Sequence, residues 1–377
     1  MKIKHYDIKI FQDNPFANCK LEREPYARVL TDIVNTYADG FVLAINNDWG
    51  AGKTTFVKMW QQQLKNEGFQ TIYFNAWEND FDNNPLVAIM SELQTLTNTN
   101  NKEIFKSVVE KGAVLVKNIA PALAKSLIKK YVVDIDDIAV DAIENATKAS
   151  TEILEEEIKE YTSKKKTIVE FRNELETFVK QAETTKPLIF IVDELDRCRP
   201  NYSVEVLEQI KHFFSVSGIV FVLSIDKKHL GSAIKGYYGS ELIDSNEYLR
   251  RFIDLEYSIP IPQTNLFVEY LYEYYGFNDF FSSVERSKFN EFIHDNKILM
   301  LIANILFTKT NATLRQQEKV FALSRLVLCS FQSNQYTFPH LLFILVYIKT
   351  MLYDVFLKIE KNDFSIQELS DLFYETI

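Results

Sequence analysis

A glycine-containing run between residues 47 and 55 has the residue types that bind phosphate. It reads Asn47-Asp48-Trp49-Gly50-Ala51-Gly52-Lys53-Thr54-Thr55. Apart from its first position, it follows the pattern G-x-x-x-x-G-K-[ST]. In that pattern backbone N–H groups cradle the phosphates, the lysine reaches the β- and γ-phosphates, and the next hydroxyl binds Mg²⁺. We therefore predict that residues 47–55 bind a nucleotide, with Lys53 on the phosphates, where it also serves catalysis, and Thr54 on the metal.

Asn47 stands where the pattern has its first glycine. That glycine often adopts a left-handed backbone, and asparagine is among the non-glycine residues that accept one most readily. We therefore expect the loop to keep its function with Asn47 in that conformation. The alternative is a chance Gly-Lys-Thr in a structural turn. A strand-like run before the loop (41–45) and a helical pattern after it favour the phosphate loop.

Two acidic residues follow the uninterrupted apolar run at 188–192. Asp193 and Glu194 stand as the two acids of a Walker B motif do. We predict that Asp193 holds Mg²⁺ through water and that Glu194 orients and activates the attacking water for in-line hydrolysis. Alone the pattern is weak, because acids that cap a following helix also end buried strands. Together with the phosphate loop it indicates hydrolysis rather than transfer to an acceptor.

Other polar residues are candidates for contact with the γ-phosphate or with the transition state. Ser224 or Asp226, at the end of the apolar run 219–223, could contact the γ-phosphate or the attacking water, and a strand-terminal turn explains them equally well. Arg251 is assigned a catalytic role, in the same chain or across an interface. The other arginines considered for this role are Arg197, Arg199 and Arg250. A surface ion pair is the simpler explanation for each arginine taken alone.

Four apolar runs of strand length alternate with helical patterns in the first 260 residues. They cover 41–45, 71–74, 188–192 and 219–223. This alternation predicts an α/β fold, a doubly wound parallel sheet that forms a P-loop NTPase core. Helices are expected from Pro25, from the phosphate loop to about Asn66, and from Pro85 to about Leu96. Ser203 is a candidate cap for the helix after the acidic pair.

We predict three domains. The P-loop NTPase core covers 1–96 and 187–262, a charged helical insertion covers 97–186, and an all-α domain at 263–377 serves as lid or partner surface. The lysine-studded pattern at 103–133 fits a helix packed on its own domain, and a membrane-interface helix is the alternative. No window there approaches the ~18 uncharged residues of a transmembrane helix.

The composition is that of an ordinary globular protein of 377 residues, 47% hydrophobic and 25% charged. A formal net charge of -10 argues against a protein that binds nucleic acid by its overall charge. Three distant cysteines suit a reducing compartment, and the first residues lack the apolar core of a signal peptide. We expect a cytoplasmic protein with no transmembrane segment. ATP is the expected nucleotide, because the N/T-K-x-D motif of GTPases is not found.

The chain resembles the KAP family of P-loop NTPases, within the broad ASCE group that also contains STAND-type signalling ATPases. The resemblance rests on Trp49-Gly50-Ala51-Gly52-Lys53-Thr54-Thr55, Phe74-Asn75-Ala76-Trp77 and Asp193-Glu194-Leu195-Asp196-Arg197-Cys198. Leu21-Glu22-Arg23 and Tyr248-Leu249-Arg250-Arg251 are weaker matches. Many members carry transmembrane helices between the Walker motifs, whereas the insertion here is charged. Asn47 and the Arg250-Arg251 pair, where Glu-Lys is common, depart from the family pattern.

The resemblance implies ATP-driven switching, in a bacterial defence system that excludes phage or plasmids or in signalling, with a protein partner or a homo-oligomer. Our first hypothesis is an Mg²⁺-dependent ATPase whose hydrolysis drives a conformational or assembly change. The second is a non-hydrolysing scaffold that binds nucleotide for stability. The third, a motor stimulated by nucleic acid, is disfavoured by the acidic balance.

Overall fold

The computed structural model describes residues 8–81, 84–116, 153–181, 185–365, 367–368 and 370–371. The chain divides into two compact units. We call the first the helical unit (Met1–Pro25, Asp48–Met59, Pro260–Ile377) and the second the sheet unit (Tyr26–Asn47, Trp60–Ile259). From Asp48 onward, the phosphate loop thus belongs to the same unit as the C-terminal helices. The three domain boundaries remain a prediction.

A parallel sheet forms the centre of the sheet unit. Its strands in the described part of the chain are β1 (Phe41–Asn46), β2 (Thr71–Asn75), β3 (Leu188–Asp193), β4 (Ile219–Ile225) and β5 (Leu255–Tyr257). Their order is β2-β3-β4-β1-β5, and each neighbouring pair is parallel. Every residue of β3 and β4 is buried, as expected of strands covered on both faces. The predicted α/β sheet is confirmed.

The short strand β5 lies between Arg251 and Pro260, where the family resemblance places a strand. It has three residues, and two of them, Leu255 and Glu256, are exposed. No apolar run of strand length therefore marks it, and its pairing with β1 creates the strand.

Helices alternate with the strands. They are α1 (Glu24–Thr36), α2 (Lys53–Asn66), α3 (Ala76–Asn79), α4 (Pro85–Leu93), α5 (Lys102–Val116), α6 (Ile153–Lys180), α7 (Pro200–Gln209), α8 (Lys227–Tyr238) and α9 (Ser245–Leu249). Ser203 does not cap α7, contrary to the prediction. Pro200 already begins that helix, since its fixed φ suits the first turn, and the buried Ser203 hydroxyl donates to the Leu195 carbonyl at 2.9 Å.

The predicted insertion contributes α5 and α6, which pack on the sheet unit. Phe105, Val108 and Val109 of α5 are buried together with Phe171 and Phe178 of α6. Residues 102–116 of the lysine-studded pattern therefore form a helix packed on its own unit. The rest of the 103–133 pattern lies outside the described residues. No helix in the described part of the chain is long and apolar enough to cross a bilayer.

Helices make up most of the helical unit beyond Pro262. They are α10 (Thr264–Tyr274), α11 (Asn278–Phe281), α12 (Asp295–Thr310), α13 (Leu314–Leu328), α14 (Pro339–Met351) and α15 (Tyr353–Glu360). Phe277, Phe307, Phe321 and Phe343 pack ring against ring at their centre. The prediction of an all-helical C-terminal region is confirmed.

Candidate nucleotide site

The phosphate loop connects the carboxyl end of β1 to the first turn of α2. Gly50 and Gly52 have φ values of 80° and 78°, a region that side chains other than glycine rarely enter. The helix begins at Lys53, so the N–H groups of its first turn and the positive end of its dipole follow the loop directly. The Lys53 ammonium is buried and donates to the Asp48 carbonyl at 3.3 Å. The loop therefore has the strand, glycines and helix start that phosphate binding requires.

Asn47 acts through its side chain and not through a left-handed backbone, which corrects our expectation. Its backbone is not among the positive-φ conformations of the described residues. Instead its Nδ2 donates to the Ile259 carbonyl at 2.7 Å, and its Oδ1 accepts from the Ile259 N–H at 2.9 Å. A glycine could not make either bond. Asn47 thus ties the end of β1 to the chain that follows β5.

Arg23, which belongs to the helical unit, donates hydrogen bonds to the backbone of the phosphate loop. Its Nη2 donates to the Ala51 carbonyl at 2.9 Å and its Nη1 to the Gly52 carbonyl at 3.3 Å. These bonds give two carbonyl groups of the loop hydrogen-bond partners, and Arg23 is itself buried. The weak Leu21-Glu22-Arg23 match was the only sequence signal for this contact.

The start of α13 also contacts the loop within the helical unit. The Arg315 N–H donates to the Gly50 carbonyl at 3.3 Å. A Cβ on Gly50 would lie 3.0 Å from both the Arg315 Cβ and the Thr313 Oγ1. Gly50 is therefore required by close packing as well as by its φ. Sequence patterns gave no indication of this contact, because residues 50 and 313 are far apart in the chain.

Asp193 lies at the carboxyl end of β3 with both carboxylate oxygens hydrogen-bonded. The Tyr73 hydroxyl of β2 donates to its Oδ2 at 2.8 Å, and the Glu194 N–H donates to its Oδ1 at 3.0 Å. Asp193 is only 1% exposed. Burial, together with the negative charge of Asp193, raises the pKa of Tyr73 well above its ordinary value, so this hydroxyl remains a donor at physiological pH. Sequence reasoning missed Tyr73.

Glu194 has a left-handed backbone, with φ of 62° and ψ of 21°. Its carboxylate forms an ion pair with Arg197 three residues later. The Arg197 guanidinium also lies over the Trp77 ring, 5.9 Å from its centroid, within reach of a cation–π interaction. The proposed general base is thus present beside Asp193, and in this conformation a cation holds it.

The motif Phe74-Asn75-Ala76-Trp77 forms the turn from β2 into α3. The Asn75 side chain caps α3 by accepting from the Glu78 N–H, and Asn75 pairs with Asp193 in the sheet. Asp80, which follows α3, forms an ion pair with Arg199. The turn after β2 and the segment after β3 are therefore joined by side-chain contacts at two places, Trp77 with Arg197 and Asp80 with Arg199.

Ser224 and Asp226 differ in their surroundings. Asp193 pairs with Ser224 across β3 and β4, and the fully buried Ser224 hydroxyl makes no hydrogen bond within the described residues. Asp226 caps α8, accepting from the N–H groups of Lys228 and His229, and contacts the His229 ring at 2.9 Å. The strand-terminal turn therefore accounts for Asp226, whereas Ser224 has a buried hydroxyl with capacity for a partner.

The four candidate arginines lie in different settings. Arg197 and Arg199 form the ion pairs described above, and Arg250 pairs with Glu247 at the surface. Arg251 is exposed in the turn before β5. Arg251 therefore lies before the amino end of β5, whereas Asp193 lies at the carboxyl end of β3.

The chemistry of Asp193 suits a magnesium ion. A buried carboxylate is costly unless a cation or hydrogen-bond donors compensate its charge, and Mg²⁺ prefers hard oxygen ligands such as carboxylates. Among the described residues no group of three or more His, Cys, Asp or Glu side chains could hold a metal alone. Magnesium commonly binds through one or two protein oxygens together with nucleotide phosphates.

Comparison with protein families decides the assignment. The model of the KAP family P-loop domain matches residues 23–323. The chain belongs to the KAP family. The match includes the phosphate loop, Asp193 and Glu194, and most of the helices that follow the sheet unit. A search of curated proteins found no match.

Two solved structures resemble the chain more distantly. The ORC2 protein of Aeropyrum pernix, solved as ADPNP-ADP complexes, is 14% identical with a TM-score of 0.40, and the alignment covers 88% of this chain and 69% of that one. PCH-2 of C. elegans is 11% identical with a TM-score of 0.35 and the same coverage. Likenesses this weak carry no conclusion about what the KAP-family chain binds.

Proposed function

We propose that this KAP-family protein binds ATP with Mg²⁺ and hydrolyses it, and that hydrolysis drives a conformational or assembly change. The observation that carries the proposal is the alignment of strand ends. β1, which leads into the phosphate loop, and β3, which ends in Asp193, flank β4 in a parallel sheet. Their carboxyl ends therefore share one edge, the edge at which open α/β sheets bind ligands.

Each residue has a proposed role at that edge. Residues 47–55 bind the phosphates, with Lys53 on the β- and γ-phosphates, and the Thr54 hydroxyl and Asp193 hold Mg²⁺. Bound Mg²⁺ would offset charge on the phosphate oxygens. Glu194 accepts a proton from the attacking water and orients it, and the Ser224 hydroxyl is available to donate to the γ-phosphate or the water.

The ion pair with Arg197 describes a resting arrangement of Glu194. A carboxylate held by a guanidinium is a weaker base than a free one, because the cation favours its charged form. We propose that Glu194 leaves Arg197 when the site becomes competent for hydrolysis. Arg251 is exposed, so it is proposed to act on a nucleotide bound by another copy of the chain.

ATP, rather than GTP, is proposed because the chain lacks an N/T-K-x-D motif. A role in bacterial defence by exclusion of phage or plasmids, or in signalling, is proposed from family resemblance, with a protein partner or a homo-oligomer in the cytoplasm. The alternative function is a nucleotide-bound scaffold without turnover. The Arg197–Glu194 ion pair favours this second candidate if the pair persists when nucleotide is bound.

The proposal is tested first by nucleotide binding. Lys53→Ala should weaken Mg-ATP binding by roughly a hundredfold, because it removes charge-assisted contacts to the phosphates. Lys58→Ala, one turn further along α2, is the matched control and should bind as the wild type does. Isothermal titration calorimetry measures both. Wild-type affinity in Lys53→Ala would refute the assignment of the phosphate loop.

A further inference from the structure

The hydroxyl of Tyr73 makes a hydrogen bond whose position suggests a role beyond packing. Tyr73 lies on β2, where it pairs with Ile191, two residues before Asp193 on β3. Its hydroxyl reaches diagonally across the two strands and donates to the Asp193 Oδ2 at 2.8 Å. Diagonal neighbours on adjacent strands are within reach of a long aromatic side chain. The sheet register therefore brings the tyrosine hydroxyl to the Asp193 carboxylate.

The second oxygen of Asp193 is held by the backbone. The Glu194 N–H donates to Oδ1 at 3.0 Å. With a donor on each oxygen, the carboxylate cannot rotate freely about its terminal bond. A carboxylate oxygen can accept more than one hydrogen bond, so each Asp193 oxygen keeps capacity for a metal ion or for a water bound to it.

We propose that Tyr73 is a positioning residue that sets the orientation of Asp193 toward the nucleotide-bound metal. This inference rests on the proposed function, since it assigns Asp193 to the metal. Partners of this kind orient metal ligands, and their loss commonly costs about ten- to a hundredfold in metal affinity. The hydroxyl, rather than the ring, is the group that carries the role.

The experiment removes the hydroxyl alone. Tyr73→Phe keeps the ring in its place on β2, and Mn²⁺ serves as the probe because its binding can be followed by electron paramagnetic resonance. With a non-hydrolysable ATP analogue present, Tyr73→Phe should bind Mn²⁺ about tenfold more weakly than the wild type. Binding of the analogue without metal should stay unchanged, because Tyr73 has no role in the phosphate loop.

Tyr257→Phe is the matched control. Tyr257 is half-buried at the carboxyl end of β5, and burial together with Tyr26, not Asp193, raises its pKa. The Tyr257→Phe variant should bind Mn²⁺ with wild-type affinity. Thermal melting of all variants separates loss of metal from loss of fold, and an unchanged melting temperature with weaker Mn²⁺ binding supports the inference.

Asp193→Asn distinguishes failure of this inference from failure of the proposed function. If Asp193→Asn loses Mn²⁺ while Tyr73→Phe binds it like the wild type, the role of Tyr73 is refuted and the metal assignment stands. If Asp193→Asn also binds Mn²⁺ like the wild type, Asp193 does not hold the metal, and both proposals fail together.

Discussion

At the scale of single residues, Glu194 combines an unusual backbone with a charged partner. A left-handed conformation is uncommon for a residue with a side chain, and such conformations occur often at functional sites. The Glu194 N–H donates to the Asp193 carboxylate, and the Glu194 side chain pairs with Arg197. The structure thereby links the proposed metal ligand and the proposed base through one residue.

Arg197→Gln should raise basal ATP turnover. The variant removes the cation that holds Glu194, so we expect an increase of several-fold, up to about tenfold, on the scale of one charge-assisted hydrogen bond. A coupled phosphate-release assay under saturating Mg-ATP measures it.

Arg199→Gln is the control for that change. Arg199 lies two residues away but pairs with Asp80, so its loss perturbs the same segment without releasing Glu194. Turnover should rise in Arg197→Gln only. An unchanged rate in Arg197→Gln would show that Arg197 does not restrain hydrolysis, and a lower rate would show that it supports hydrolysis.

At the scale of elements, the buried strands were predictable, and the contacts that complete the site were not. The apolar runs of β3 and β4 and the Gly-Lys-Thr of the loop depend on local sequence, which a single chain shows directly. Tyr73 reaches Asp193 only through strand register, and Asn47 reaches Ile259 through a pairing 212 residues apart. Such contacts depend on topology, for which one sequence has no local signal.

The helical unit contains a buried ion pair that sequence reasoning also missed. The guanidinium of Arg286 is 1% exposed, pairs with Asp295, and donates to the carbonyls of Ser333 and Gln335 at 3.0 and 2.9 Å. It also lies 4.1 Å from the centroid of Phe292. Arg286 thus joins the start of α12 to the segment before α14.

Arg286→Ala should destabilise the protein by about 3–5 kcal/mol, because it leaves Asp295 buried without its cation. Chemical denaturation followed by circular dichroism measures the free energy of unfolding. Arg250→Ala, the control, removes an exposed arginine paired with Glu247. It should change the free energy of unfolding little. A loss below about 1 kcal/mol in Arg286→Ala would contradict the structural role assigned to this ion pair.

At the scale of the whole molecule, the phosphate loop from Asp48 onward is grouped with the C-terminal helices in the helical unit. Arg23 and the start of α13 contact loop carbonyls inside the helical unit, while Asp193 and Glu194 belong to the sheet unit. The contacts of Arg23 and of α13 with the loop therefore lie within one unit.

The most direct test of ATP hydrolysis by this protein is the turnover of Glu194→Gln. The variant keeps the size of the side chain and removes its basicity, so we predict Mg-ATP binding at wild-type affinity with turnover at least about a hundredfold lower. Light scattering on the same samples, with ATP and with ADP, reports whether the assembly state follows hydrolysis. Equal turnover by the wild type and Glu194→Gln would contradict the catalytic role of Glu194.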